Sequence, residues 1–239
     1  MKKMIFILPL TFIFACGNDV YQEKKQMRET EMDNHHPSHN DHKDHHKSAN
    51  EYMHQSNMEE LIQRFESPER DAYQQPEKVL NYLGDLKGKK IMDIGAGTGY
   101  FSVKFADKGA QVIAADVDEK FQNYLEERIE KDKLQNIELR KIPFDGPALK
   151  DAEVDKVLIV NTYHHIEDRP AYFAKVKKGT KKDGELVIID FFKTETPVGP
   201  PIDHKIAMDQ VIAELKEAGY TQFDVNADLL DYQYIIRAK

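Results

Sequence analysis

The chain has 239 residues, 34 of them basic and 42 acidic, for a net charge of −8, and it has a single cysteine. An acidic chain without a basic block is a poor fit to nucleic-acid phosphates. One cysteine excludes an internal disulfide framework and a cysteine-based zinc site, and no apolar run reaches the ~20 residues that span a bilayer.

Met1-Lys2-Lys3 is a short basic start, followed by the uncharged stretch Met4–Ala15. A helix of that length covers about 18 Å against a hydrocarbon core of ~30 Å, so Met4–Ala15 reads as the hydrophobic core of a signal peptide that spans residues 1–15. The run Ile13-Phe14-Ala15-Cys16-Gly17 resembles a bacterial lipobox. That resemblance implies lipidation of Cys16 and a lipid-anchored place in the cell envelope. Without it, the alternative is an uncleaved hydrophobic N-terminus and a cytoplasmic protein. Residues 16–58 are nearly devoid of aliphatic side chains after Val20 and read as a disordered tether. Within it His35, His36, His39, His42, His45 and His46 alternate with Asp41 and Asp44. Imidazoles suit zinc, copper and nickel, so the tract is a loose metal collector or a polar spacer.

Hydrophobic periodicity begins near Glu59 and continues to Lys239. Glu59–Phe65 and Pro76–Leu83 read as short lead-in helices. Apolar runs at Lys90–Ile94, Gln111–Ala115, Ile137–Ile142, Val154–Val160 and Glu185–Asp190 read as buried strands. Between and after them Tyr100–Lys108, Glu119–Lys133, Pro170–Lys178 and Ala207–Ala218 read as helices, the last closed by Gly219. Thr221–Val225 and Tyr232–Arg237 read as a final pair of strands. The alternation predicts an α/β fold: a mostly parallel seven-stranded sheet with helices on both faces and a C-terminal antiparallel pair. Ligands in such sheets bind beyond the carboxyl ends of the strands.

The first strand runs into Asp93-Ile94-Gly95-Ala96-Gly97-Thr98-Gly99-Tyr100. Glycines at alternate positions let the backbone turn tightly and approach a ligand. The dinucleotide pattern G-x-G-x-x-G would need a glycine where Tyr100 stands. Asp93 would also repel a pyrophosphate, and it suits a cationic or amino-bearing ligand instead. Asp116 closes the second strand, where a carboxylate can accept from both hydroxyls of a ribose.

Asp93–Gly99 resembles the D-x-G-x-G-x-G motif of class I S-adenosylmethionine-dependent methyltransferases, and Asp116 resembles that family's ribose-binding acid. Further stretches, FESPERDAYQQPEKVL, VNTYHHIEDRPAYF and DFFKTETPVGPPIDHKIA, resemble a subgroup of small bacterial enzymes similar to ubiquinone/menaquinone-type methyltransferases. The resemblance covers residues 59–239 and implies a Rossmann-like fold with S-adenosyl-L-methionine as cofactor. It implies that Asp93, Gly95, Ala96, Gly97, Gly99 and Asn161 line the cofactor, that Asp116 holds its ribose and that Asp145 meets its adenine.

Methyl transfer needs alignment and dryness, and a base only where the acceptor must lose a proton. His164 and His165 follow the fourth strand and are the candidate bases, or else side chains that pack beside the cofactor. Asp190 ends the fifth strand, where it orients a loop. The segment Thr196–Lys205, with Pro197, Pro200 and Pro201, reads as a stiff lid carrying His204. Arg64, Arg70 and Asp71 either close over the cofactor or form a solvated helix face. The leading reading is a membrane-tethered methyltransferase acting on a small-molecule or lipid-like acceptor. The alternative is an exported lipoprotein whose Rossmann-like domain binds a ligand without turnover and whose tether collects metal. A nicotinamide dehydrogenase is the third, disfavoured by Tyr100 and Asp93.

Overall fold

The protein is seen here as a computed structural model that describes residues 57–239. The expected signal peptide, Cys16 and the histidines from His35 to His46 lie outside the described residues. Among those described, no helix is long and apolar enough to cross a membrane. No group of three or more His, Cys, Asp or Glu among them could hold a metal ion.

Three short helices come first: α1 (Met58–Phe65), α2 (Pro68–Gln74) and α3 (Pro76–Leu83). Their borders follow from local chemistry. The Asn57 side chain accepts from the Glu59 N–H, and the Ser67 side chain accepts from the Arg70 N–H. Each satisfies a backbone donor that the first helical turn leaves unpaired. Pro68 and Pro76 occupy first-turn positions, where a missing N–H costs nothing. Gln75 adopts the left-handed conformation between α2 and α3. Pro68–Gln74 is a helix that the periodicity of the sequence does not announce, and it is central to the site.

The α/β body follows as β1 (Lys90–Ile94), α4 (Tyr100–Asp107), β2 (Gln111–Asp116), α5 (Glu119–Asp132), β3 (Ile137–Lys141), β4 (Val154–Val160), α6 (Arg169–Gly179), β5 (Thr180–Phe191), α7 (Met208–Glu217), β6 (Phe223–Asn226) and β7 (Gln233–Ala238). The strands form one sheet in the order β3-β2-β1-β4-β5-β7-β6. The first five are parallel, and β7 runs antiparallel to β5 and β6. The expected architecture is present. β5 extends further back than Glu185–Asp190, because Thr180 pairs with Val154 across an irregular register that precedes the Lys156–Glu185 pair.

Alternation along each strand splits the core in two. Met92, Ile94, Val157, Ile159, Leu186 and Ile188 face Phe173 and Val176 of α6 and Leu215 of α7. Ile91, Leu158, Val160, Val187 and Ile189 face Leu80 and Leu83 of α3 and Phe101 and Phe105 of α4. Phe105 is fully buried, and truncating such a ring costs about 3–5 kcal/mol. This packing fixes the sheet as a platform. The chain travels outward from β1 to β3 and then returns to β4 on the other side of β1. The crevice at that reversal, beyond the carboxyl ends of β1 and β4, is where such sheets take their ligands.

Candidate active site

The loop Gly95–Gly99 is anchored to the neighbouring strand. The N–H groups of Gly95 and Ala96 both donate to the Ala115 carbonyl, at 2.9 and 3.0 Å. Gly95, Gly97 and Gly99 all have positive φ, which side chains adopt only with strain. The demand for glycine differs among them. A Cβ on Gly95 would stand 2.4 Å from Thr162 Oγ1, and one on Gly99 would stand 2.5 Å from Leu125 Cδ1. At Gly97 the nearest atom would be in the Phe65 ring, 3.7 Å away. Two of the glycines therefore serve the protein's own packing, whereas Gly97 has room for a Cβ beneath the Phe65 ring.

Three buried carboxylates stand at these strand ends: Asp93, Asp116 and Asp190. Among the described residues none is ion-paired with a lysine or arginine. Asp116 Oδ2 accepts from the Gly97 N–H at 2.9 Å, and its Oδ1 accepts from the Asp118 N–H at 2.9 Å. Burial raises its pKa, against the pull of those backbone donors. Asp93 points to the α4 side, where Ser102 Oγ donates to its Oδ2 at 2.7 Å. Burial pushes Asp93 up to about 6, eased by the Ser102 hydroxyl and the nearby Arg70 charge.

Residues 57–75 form a strap across this region. Phe65 faces Gly97 and stacks on Phe121 of α5, with centroids 5.9 Å apart. Glu66 Oε1 accepts from Thr98 Oγ1 at 2.5 Å and pairs with Arg128 at 2.9 Å. Arg128 also donates to the Thr98 carbonyl at 2.9 Å. Arg70 lies 3.9 Å from the centre of the Tyr100 ring, and the Tyr100 hydroxyl donates to Asp71. Arg70 Nη1 reaches the Phe65 carbonyl at 3.1 Å, while its Nε is buried with no partner. At the far end three amides close a ring. Asn161 Nδ2 donates to Gln74 Oε1 at 3.3 Å, Gln74 Nε2 to Gln233 Oε1 at 3.0 Å, and Gln233 Nε2 to Asn161 Oδ1 at 2.5 Å. Arg70 and Asp71 thus close over the loop, whereas Arg64 is exposed.

The expectation for Asn161 needs correction in one respect. Its backbone is left-handed, with φ of 55°, and its side chain is committed to the amide ring that latches the strap. Asp145 stands apart from the buried cluster: its side chain is 80% exposed and pairs with Lys175 at 3.0 Å. His164 and His165 sit in a 3-10 turn directly after β4, with ring centroids 4.3 Å apart. His164 Nδ1 lies 3.1 Å from Asp190 Oδ2, and both side chains are nearly sealed, at 4% and 1% exposure. Asp190 Oδ1 also accepts from the Phe191 N–H at 2.8 Å. The proline-bearing segment after β5 is pinned from below. Lys205 is buried, and its Nζ donates to the Thr194 carbonyl at 2.8 Å and to Thr196 Oγ1 at 2.6 Å. A Cβ on Gly199 would strike the Phe191 ring at 2.5 Å, so the segment folds back tightly on β5. His204 lies in its final 3-10 turn, Ile202–His204.

A family model described as a methyltransferase domain matches residues 92–188. A S-adenosylmethionine-dependent methyltransferase from Aquifex aeolicus superposes with a TM-score of 0.71 at 27% identity, over 77% of this chain and 98% of that one. Residues 92–188 thus carry a methyltransferase domain, in a fold shared with a S-adenosylmethionine-dependent methyltransferase. A ubiquinone biosynthesis O-methyltransferase of Acinetobacter baylyi is 33% identical over 114 residues, 47% of this chain and 46% of that protein. An uncharacterised methyltransferase of Staphylococcus carnosus is 28% identical over 129 residues, 53% of this chain and 59% of that protein. The chain spans about half the length of the curated relatives it matches. A phosphoethanolamine N-methyltransferase 2 of Haemonchus contortus with bound S-adenosylhomocysteine shares the fold, at a TM-score of 0.56 and 20% identity. The methyltransferase domain thus brings S-adenosylmethionine as its cofactor. The site fits that molecule, because Asp93 and Asp116, buried with no lysine or arginine ion pair among the described residues, suit a ligand that carries a sulfonium and an ammonium.

Proposed function

We propose that this domain transfers a methyl group from S-adenosylmethionine to a small-molecule acceptor. The observation that carries the reading is Asp116: a buried carboxylate that braces the Gly97 N–H and keeps acceptor capacity for a pair of ribose hydroxyls. Asp93 would neutralise the cofactor's ammonium, and the orphaned Nε of Arg70 would be completed by its carboxylate. When bound, the cofactor supplies an electrophilic methyl on a charged sulfur. The strap then excludes water from it, and the Gly95–Gly99 loop holds it in line.

The test is calorimetric titration of the full chain with S-adenosylmethionine and S-adenosylhomocysteine, alongside Asp116→Ala. Losing two charge-assisted hydrogen bonds, at about 1.5 kcal/mol or more each, should weaken binding at least ~100-fold. Absence of binding by the folded wild-type chain would sink the reading. The acceptor class remains that of a small or lipid-like molecule. We also propose a membrane tether, resting on the lipobox-like run Ile13–Gly17. Labelled fatty acid should enter the chain and be lost in Cys16→Ser, and an unlabelled wild-type chain would refute the tether.

A further inference from the structure

We propose that Asp190 is a positioning residue that fixes the tautomer of His164, making Nε2 of that histidine the proton acceptor for a hydroxyl-bearing methyl acceptor. The inference rests on the methyltransferase reading and deepens it at the same site. The two residues lie on adjacent parallel strands: Val160 pairs with Ile189, so the residues just beyond them meet at the mouth of the crevice. The 3.1 Å contact to Nδ1 is closed to water on both sides. A carboxylate can only accept, so the hydrogen between the two residues sits on Nδ1, and in the neutral ring the lone pair is then on Nε2. Nε2 has no hydrogen-bond partner among the described residues.

A structural role for the pair would be served as well by a lysine or arginine opposite Asp190, and this chain uses such cations elsewhere. Glu185 has Lys156 and Arg237, and Glu153 has Lys90 and Arg140. At the site the partner is instead the one side chain whose ordinary pKa allows it to take and release a proton near neutrality. The other titratable groups around the pair are His165 on the same turn, Tyr234 opposite Asp190 on β7, and Lys205 and Glu195 of the segment after β5. Lys205 is committed to Thr194 and Thr196, and Tyr234 donates to the Ile206 carbonyl at 3.2 Å.

The step balances. The acceptor oxygen forms its bond to the methyl carbon while its proton passes to Nε2. The carbon–sulfur bond breaks with its electron pair retained by sulfur, and the imidazolium afterwards gives its proton to water. An uncharged amine needs no such base before attack, and a thiol ionises by itself near pH 8.5, so a built proton acceptor marks a hydroxyl.

The experiment uses the full chain with labelled histidine, assigned by comparison with His164→Gln. Nitrogen NMR reads the tautomer and the ionisation of His164 directly, whether or not an acceptor is known. The expected result is Nδ1–H with unprotonated Nε2 in the wild type and the opposite tautomer in Asp190→Asn. A wild-type His164 with hydrogen on Nε2 overturns the proposal. Catechol, 4-nitrophenol and aniline are then supplied as acceptors. For any hydroxyl that is methylated, Asp190→Asn should lower kcat at least ~100-fold with KM little changed, as the loss of base catalysis implies. Methylation of aniline alone, or hydroxyl methylation indifferent to both variants, overturns it. S-adenosylmethionine titration of each variant separates the two failures: retained cofactor binding with the wrong tautomer defeats this inference alone, and lost wild-type binding defeats the methyltransferase reading.

Discussion

At the amino-terminal end of β4 and its neighbour in β5, Glu153, Asp155 and Glu185 sit against lysines and arginines, whereas Asp93, Asp116 and Asp190 at the carboxyl ends do not. Glu153 is met by Arg140 and Lys90 at 2.9 Å each, and Arg140 holds its carboxyl well below the usual range. Burial would raise Glu185, but the hydrogen-bonded Lys156 and Arg237 outweigh it. Asp155 accepts from the Lys90 N–H at 2.8 Å and pairs with Lys181 at 3.0 Å. At the other end the balance reverses, and burial wins at both Asp93 and Asp116. The same residue type thus stands in two environments. Paired carboxylates close the bottom of the sheet, and Asp93 and Asp116 at the other end are buried at a cost without a lysine or arginine partner.

The largest expected effect lies at the paired end. Glu185→Gln strands Lys156 and Arg237, both partly shielded, and should cost about 3 kcal/mol of stability. Urea unfolding measures it, and cofactor affinity of the folded variant should be unchanged. A loss near zero would erase the contrast between the two ends.

Asp93→Asn should act in the opposite sense. Its folded pKa of about 6 exceeds the ordinary 3.8. The stability this raised carboxyl contributes is therefore full below the unfolded pKa and is lost as pH rises through about 6. Ionised Asp93 then burdens the fold at neutral pH by up to about 3 kcal/mol, two pKa units at 1.36 each. Asp93→Asn should thus unfold at higher urea than wild type at pH 8 and lose that advantage near pH 4.

Glycines give the smallest effects and sharpen the same contrast. Gly88 lies before β1, has φ of 70°, and a Cβ there would meet nothing within 4 Å. Gly88→Ala should cost about 1 kcal/mol, from backbone strain alone. Gly99→Ala adds a collision with Leu125 and should cost about 2–3 kcal/mol. Equal losses by thermal unfolding would mean that the loop yields where the structure has it packed.

Strands and long helices were legible because their periodicity is local: β4 reads as VDKVLIV, and α5 as an amphipathic run closed near Lys133. The glycine loop and Asp116 were legible because spacing along one strand and turn determines them. The α2 helix was missed although its signal was present in Ser67-Pro68 at its start and Pro76 after its end. Its seven residues are too few for periodicity to speak. The amide ring had no local signal. Gln74 and Gln233 are 159 residues apart, and only the antiparallel return of β7 brings them together. The same holds for the His164–Asp190 contact, where both residues were singled out and their pairing depended on strand order. Asp145 was chosen by its position after β3, and the Lys175 ammonium on α6 claims it.

The central claim is that the cleft carboxylates await a cationic ligand, and Asp93 tests it most directly. S-adenosylmethionine affinity of the full chain should be measured from pH 5 to 7, in wild type and Asp93→Asn. The account predicts that wild-type affinity falls as pH drops through about 6, while the variant binds more weakly and shows no such fall. Wild-type affinity that is flat across this range, or a variant that binds as tightly as wild type at pH 7, would contradict it.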